Sequence, residues 1–416
     1  MRAYLKTQLL VLKRTKGQLF ILLILLASIF LGYVYNLNKT NSEQAFIKDH
    51  YDFPYEEYQK EQEQNQSDEP VFVYEYGKFL DRKFALSEAI NNKDSNYLLV
   101  DELKSLHDYK EHTYEMNESS FPTAGGRIDR YLKGKELLNT ALLSRNISPE
   151  STRYGTSGAL LIVSLLPYLT SFAGLFVLGL CASRIIGKKY EGNQYRWLKV
   201  TPLPYIKQLL ADYLLYMFLV LVILGTLLAA NLAITYFFSG DLNLNYPILV
   251  RIKNELQLMS ASHYIAQVIA IFLLILSVIF FLSALFVRIV KNSFISVLLA
   301  TLMIGVGYNL STHSQSQLNS WNPFVYTQPT SLLIGRDEQP IDIDYTSVLD
   351  FKDESDYVWV ETDFTFENIS YYQAHTLGFK LGIDLSFGKA IRSLGILTFL
   401  LFTLSVLPLK RIRRLI

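Results

Sequence analysis

The stretch that decides the fold is YIAQVIAIFLLILSVIFFLSALF, residues 264–286, which contains no charged side chain. About 20 predominantly apolar residues in a helix are enough to cross the hydrocarbon core of a bilayer. The run is therefore typical of a membrane-spanning helix. The composition agrees, because 50% of the 416 residues are hydrophobic, 14% are aromatic and the mean hydropathy is +0.19. These values argue against a single soluble core.

Five further runs meet the same criterion and bring the predicted number of spans to six. They are 19–35, 158–181, 209–238, 293–310 and 391–407. The first has the basic lead of a signal peptide but no small-x-small cleavage site, so we interpret it as an uncleaved anchor. The last is closed by Pro408, because proline cannot continue the hydrogen bonding of a helix.

Charges between the runs predict the orientation. Four segments hold 17 basic residues and one acid, Glu191; they are 1–18, 182–208, 287–292 and 408–416. Short flanks rich in Lys and Arg stay in the cytoplasm, so we expect both termini and the 182–208 segment there. Within 1–18, Leu5, Leu9 and Leu12 share one helical face, which predicts an amphipathic helix on the lipid surface. The alternative is a basic leader that serves orientation alone.

The remaining segments are acidic and are predicted to be external. Residues 36–157 hold 15 basic and 22 acidic side chains, and 311–388 hold three and 12. The first region shows apolar residues at helical spacing, as at Leu138 and Leu142, and is expected to be an external helical domain. Residues 239–263 form a shorter external loop. In the second region, 311–390, the alternation in VWVETDFTF (358–366) predicts a strand, hence a smaller external α/β region.

The expected fold is therefore a mainly α membrane protein with six transmembrane helices and cytoplasmic termini. The single cysteine, Cys181, excludes an intramolecular disulfide. A large external region without disulfides is more typical of a Gram-positive-like bacterial cell membrane than of a eukaryotic secretory lumen.

Signatures of catalysis are mostly missing from the sequence. Gly134-Lys135 lacks the first glycine and the Ser or Thr of a phosphate loop, and there is no zinc helix or nucleophile elbow. His107 and His112 lie among carboxylates, where a metal site or an ordinary solvated helix face would fit. Asp212 is the one acid within the spans, and we interpret it as a capping or interfacial residue rather than a transport relay. We expect no catalytic, metal or cofactor site, and no nucleic-acid binding, because topology explains the basic residues.

The segment SRIIGKKYEGNQYRWLKVTPLPYIKQLLADY, residues 183–213, resembles the permease subunits of type-2 (exporter) ABC transporters. In that family the second span leads into a cytoplasmic segment with an acid pair, Gly-Thr, apolar residues and a proline. Here Lys189 takes the place of one acid, and Asn193-Gln194 that of Gly-Thr. A second similar stretch is WNPFVYTQPTSLLIG (321–335), which corresponds to an outer, often re-entrant, Asn-Pro-apolar segment.

The resemblance implies a dimer of permeases, a second copy or a paralogue, on two cytoplasmic ATPase subunits that bind the ATP and Mg²⁺. The residues that it assigns to coupling with the ATPase are Tyr190, Glu191, Gly192, Tyr195, Arg196, Trp197 and Pro202. Those that it assigns to the outer re-entrant segment are Asn322, Pro323 and Phe324. Aromatic anchors on a short helix can dock in a groove of a partner. The alternative for this loop is a positively charged helix on the membrane surface.

These features favour a subunit of an ATP-driven exporter of amphipathic or peptide-like compounds, as in antimicrobial-peptide export, immunity or resistance. The large external domain leaves a second class open, a membrane-anchored sensor or assembly protein that binds a ligand or a cell-wall partner. Stable association with an ATPase would separate the two classes.

Overall fold

The computed structural model describes residues 17–51, 53–65, 70–104, 125–150, 154–190, 204–252, 255–313, 321–330 and 386–407. The chain is a mainly α membrane protein, with five helices that are long and apolar enough to span a membrane, or six when one bent helix pair counts as a span. The helices are α1 Gly17–Tyr51, α2 Tyr55–Asn65, α3 Pro70–Asn92, α4 Gly125–Arg145, α5 Gly158–Leu169, α6 Phe172–Tyr190, α7 Tyr205–Phe238, α8 Ala261–Val290, α9 Ser293–His313 and α10 Phe387–Val406. Residues 95–104 are also helical.

Helix α8, which contains the run 264–286, lies at the centre of the bundle. Every residue from 275 to 284 is buried, and the helix packs against α6, α9 and α10. A helix that is apolar all round is stable in such a position, because each of its faces meets another helix. Its C-cap residue Lys291, directly after the last helical residue Val290, is left-handed, with φ 59°, and only Lys291 and Asn292 separate α8 from α9. The two helices therefore reverse direction tightly.

A second core joins the segment before α5 to the membrane helices. Its centre is a hairpin of β1 Pro247–Ile252 and β2 Glu255–Ser260, antiparallel, with Pro247 opposite Ser260. Leu138 and Leu142 of α4 are buried in the same cluster, together with residues of α5 and the start of α8. The hairpin lies in the 239–263 segment, where we predicted a loop. Its apolar residues are hidden by α4, a contact that local sequence patterns do not reveal.

The first predicted span ends at 35, but α1 continues to Tyr51. Neither proline nor glycine occurs between Gly32 and Pro54, so nothing in the backbone stops the helix where the sequence turns polar. The helix is held beyond the predicted end by Asn36, which donates to the carbonyl of Gly155 (3.0 Å) and to Ser164 Oγ (2.8 Å). The polar residues 36–51 therefore continue the same helix as the predicted span.

The second predicted span, 158–181, is broken into α5 and α6, whose axes differ by 76°. The Thr170 amide and hydroxyl both donate to Leu166 O, and Ser171 Oγ accepts from the Gly174 amide, so side chains replace lost helical hydrogen bonds. Only glycine fits at 174, because a Cβ there would lie 2.0 Å from Leu169 O. Helix α6 continues to Tyr190, and residues 182–187, which we predicted in the cytoplasmic segment, include five buried positions and only Arg184 exposed.

Candidate functional site

Contacts between helix ends show which ends lie together. Arg288 near the end of α8 contacts both Ser405 at the end of α10 and Tyr205 at the start of α7. We call this side of the bundle the basic end. At the opposite side, the amide of Gly158 at the start of α5 donates to Asp241 O just beyond α7 (3.0 Å). We call this side the domain end, because the hairpin and α4 lie there.

The predicted coupling segment leaves and re-enters the bundle at the basic end. Helix α6 ends at Tyr190, and α7 begins at Tyr205 behind Pro204, whose carbonyl accepts from Lys207 N (3.0 Å). Residues 191–203 lie outside the described residues. The positions concerned are Glu191, Gly192, Tyr195, Arg196, Trp197 and Pro202. Of the predicted set, the structure therefore locates Tyr190, and it locates the two helix ends that anchor the segment.

An aromatic cluster ties the first turns of α7 to α8 and α10. Tyr213 Oη lies 2.9 Å from Ser277 Oγ, and its ring is 4.9 Å from the ring of Phe281. Phe281 in turn makes an edge contact with Phe402 of α10 (5.5 Å). Offset and edge-to-face ring pairs add to the stability of a packed interface. Sequence reasoning missed this cluster, because aromatic residues inside apolar runs do not indicate which helix they will meet.

Of the two roles predicted for Asp212, a helix cap or an interfacial residue, the structure excludes the first. It is 3% exposed and is the eighth residue of α7, whereas the N-cap position is occupied by Pro204. It is therefore not a helix cap. Its side chain is buried, and it directly precedes Tyr213 of the aromatic cluster in the chain.

The Asn-Pro-Phe motif lies where α9 meets α10. Asn322 Oδ1 accepts from the Phe324 amide (3.1 Å) and caps a five-residue 3-10 helix, Pro323–Thr327, while its Nδ2 donates to Ser311 Oγ in α9 (2.7 Å). Ser393 of α10 donates to Trp321 O (2.9 Å). Over 321–327 the motif is thus a short 3-10 element that fastens α9 to α10, and the described part contains no longer re-entrant helix.

The ring of Phe324 rests on Gly307 of α9. A Cβ at position 307 would lie 2.4 Å from Phe324 Cδ1, so glycine permits this approach. The three residues that follow Phe324 (Val325, Tyr326 and Thr327) are all at most 4% exposed. The apolar residues of the motif are therefore packed inside the bundle, between α9 and α10 at the domain end.

Gly134 and Lys135, the remnant of a phosphate-loop pattern, lie inside α4, where Lys135 forms an ion pair with Glu102. Lys135 Nζ is 2.9 Å from Glu102 Oε1, and Asn139 Nδ2 donates to Glu102 Oε2 (2.8 Å). Burial raises the pKa of the Glu102 carboxyl, but Lys135 and the two hydrogen bonds outweigh it, so that the pKa lies below its ordinary value. These residues have a structural role in the helical domain.

Among the described residues, no three His, Cys, Asp or Glu side chains are close enough to hold a metal ion. His107 and His112 lie outside those residues. The described part therefore offers two helix junctions as candidate functional elements, one at each end of the bundle. The chain matches no protein-family model, no curated protein and no solved structure.

Proposed function

We propose that the chain is the permease subunit of an ATP-driven exporter in a bacterial cell membrane, with its basic end in the cytoplasm. One observation carries the proposal: the segment with the family-like motif enters the membrane at Tyr205, where the first turns of α7 are joined to α8 and α10. A partner that moves this segment would therefore move the joined helices α7, α8 and α10 together. Hydrolysis of ATP by separate cytoplasmic subunits would supply the energy.

The charge distribution supports this orientation. Four basic residues lie near the ends of helices on this side of the bundle: Arg184, Lys207, Arg288 and Lys291. At the other end, α7 finishes in Tyr236, Phe237 and Phe238, which are 62–79% exposed. Aromatic side chains concentrate at both membrane interfaces, whereas Lys and Arg mark the cytoplasmic one. The region 36–157, with seven more acids than basic residues, then lies outside the cell.

A second permease copy, or a paralogue, is the partner that we propose for the bend between α5 and α6. Tyr168 beside the bend is 71% exposed, and Ser171 is half-buried. Irregular backbone within a membrane is tolerated only where protein or water covers it. The bend is flanked by α1, which approaches Leu165 closely at Gly32, and by α9, where Tyr308 meets Phe172. A second copy seated against α1, α6 and α9 would keep lipid away from this backbone.

The substrate class that we propose is an amphipathic or peptide-like compound, as in antimicrobial-peptide export, immunity or resistance. Support comes from the acidic outer regions, which would attract cationic peptides. Further support comes from the wide exposed apolar surface of α7, which would face lipid and give a membrane-dissolved compound access to the bundle.

Co-purification of an ATPase with the full-length tagged chain from a native membrane tests the proposal. We expect a Walker-motif ATPase to co-elute and to hydrolyse ATP. The double variant Glu191→Ala/Trp197→Ala should lose this association or uncouple hydrolysis from transport, because it removes the acid and the aromatic anchor. Lys291→Ala is the matched control, since it removes a charge at the same end outside the segment. Full association and transport by the double variant would refute the coupling role.

A sensor or assembly protein is the second candidate, and the second core favours it. Buried side chains of α4, the hairpin, α5 and α8 form one cluster, so a ligand bound outside could act directly on two membrane helices. This candidate predicts that no ATPase co-elutes while the external domain still binds its partner. The same purification therefore separates the two functions.

A further inference from the structure

We propose that Arg288 is a positioning residue that couples the start of α7 to the end of α10. Force delivered through the segment 191–203 would then reach the last span as well as α7. The proposal rests on the coupling role given to that segment above, and it adds the residue that passes the movement on.

Arg288 makes two contacts to two different helices. Its Nη1 donates to Ser405 O, near the C-terminus of α10, at 2.7 Å. Its guanidinium carbon lies 5.0 Å from the centre of the Tyr205 ring, the first residue of α7. A guanidinium can stack on a ring with its face and donate hydrogen bonds with its edge at the same time, which a lysine ammonium cannot do.

The contact with Ser405 meets a need of α10. The last carbonyls of a helix have no partner within it, and a cation beside them also interacts favourably with the helix dipole. Ser405 adds a second link, because its Oγ donates to Phe281 O in α8 (3.1 Å). The end of α10 is thus bound to α8 through both the side chain and the backbone of one residue.

Orientation in the membrane does not explain these contacts. A basic residue that serves the positive-inside rule needs only to remain in the aqueous flank, as Lys291 does, exposed at the turn three residues later. Arg288 is half-buried and directed into the junction of three helices. Its charge and its planar shape are both used.

Together with the aromatic cluster, Arg288 makes α7, α8 and α10 a single moving body at the basic end. Phe281 contacts Tyr213 of α7 and Phe402 of α10. Contacts made on both sides of the last three turns of α8 resist rotation as well as separation. A shift of Tyr205 is therefore transmitted to Ser405 through Arg288 and not through the lipid.

Hydrogen exchange of the full-length protein in nanodiscs tests the mechanical link without any partner. Arg288→Gln removes a charge-assisted hydrogen bond, so we expect amide exchange in 400–407 to accelerate about tenfold to a hundredfold. Tyr205→Leu removes only the ring face and should give an acceleration of about two- to fivefold in the same segment. Tyr205→Phe, which keeps the ring, and Lys291→Gln, which removes a neighbouring charge, should leave 400–407 unchanged. Unchanged exchange in Arg288→Gln, or equal effects of Tyr205→Leu and Tyr205→Phe, would overturn the proposal.

Activity of the complex supplies the second measurement. With a co-purified ATPase, Arg288→Gln should keep the association and basal hydrolysis but lower the ratio of transport to ATP hydrolysed about tenfold, whereas Lys291→Gln should not. An unchanged ratio in Arg288→Gln refutes the positioning role alone. The absence of any co-purified ATPase refutes the exporter function instead, and the exchange measurement still decides whether Arg288 joins the two helices.

Discussion

Replacement of Asn322 tests how the Asn-Pro-Phe motif holds α9 against α10. Asn322→Ala removes two hydrogen bonds, one that caps the 3-10 helix and one to Ser311. The loss of a cap costs about 1 kcal/mol and the loss of a neutral side-chain hydrogen bond costs about 1 kcal/mol, so the free energy of unfolding should fall by about 2 kcal/mol.

Two further variants separate these contributions. Asn322→Ser keeps a capping oxygen but cannot reach Ser311, so the expected loss is about 1 kcal/mol. Ser311→Ala should cost at least as much, because it removes the partner of the same hydrogen bond and also the bond from Ser311 Oγ to Gly307 O (2.6 Å). The double variant Asn322→Ser/Ser311→Ala should then be no less stable than Ser311→Ala, since residues that share one contact are not additive.

The assay is reversible unfolding in mixed detergent micelles with increasing SDS, followed by tryptophan fluorescence. The chain holds three tryptophans, so Trp197 and Trp359 are replaced by Phe in every variant, and the remaining signal comes from Trp321, which directly precedes the motif. Equal stability of Asn322→Ala and Asn322→Ser would show that the cap contributes nothing. Additive losses in the double variant would show that Asn322 and Ser311 do not interact.

Two other substitutions test the bent span and the helical domain. Gly174→Ala should prevent the 76° bend, because its Cβ would lie 2.0 Å from Leu169 O, and well-folded protein should be lost in size-exclusion chromatography. Gly225→Ala is the control, because no atom lies within 4 Å of the new Cβ, and it should be neutral or stabilise α7 by about 0.5–1 kcal/mol. Normal folding of both glycine variants would refute the steric argument. The pKa of Glu102 is lowered in the folded state, so its contribution to stability is full above the ordinary value of 4.5 and is lost as the pH falls through the folded pKa. Protection of α4 in hydrogen exchange should decrease on acidification below that value, and Lys135→Met should abolish this dependence; a dependence that survives in the variant would exclude the ion pair as its cause.

The sequence by itself determined that this is a mainly α membrane protein, and its six apolar runs coincide with the five helices and the one bent helix pair that are apolar enough to span a membrane in the described part of the chain. Hydrophobic length is a local property, because each spanning helix satisfies its backbone hydrogen bonds internally and needs only apolar side chains outside. The run 264–286 therefore identified α8 without knowledge of its neighbours. The length of the polar extension of α1 could not be predicted in the same way, since hydropathy marks where a membrane ends and not where a helix does.

Tertiary structure decided the angle of the bend in the second span, the hairpin and the junctions at the two ends. The run 158–181 is apolar enough for one span, and although Pro167 and Gly174 permit a break, hydropathy does not show whether the chain bends there or by how much. In the same way, the sequence alone shows Arg288 only as one of the basic residues that predict the orientation in the membrane. Its contacts with Tyr205 and Ser405 exist because residues 83 and 117 positions apart are brought to one end of the bundle, and no local pattern encodes that distance.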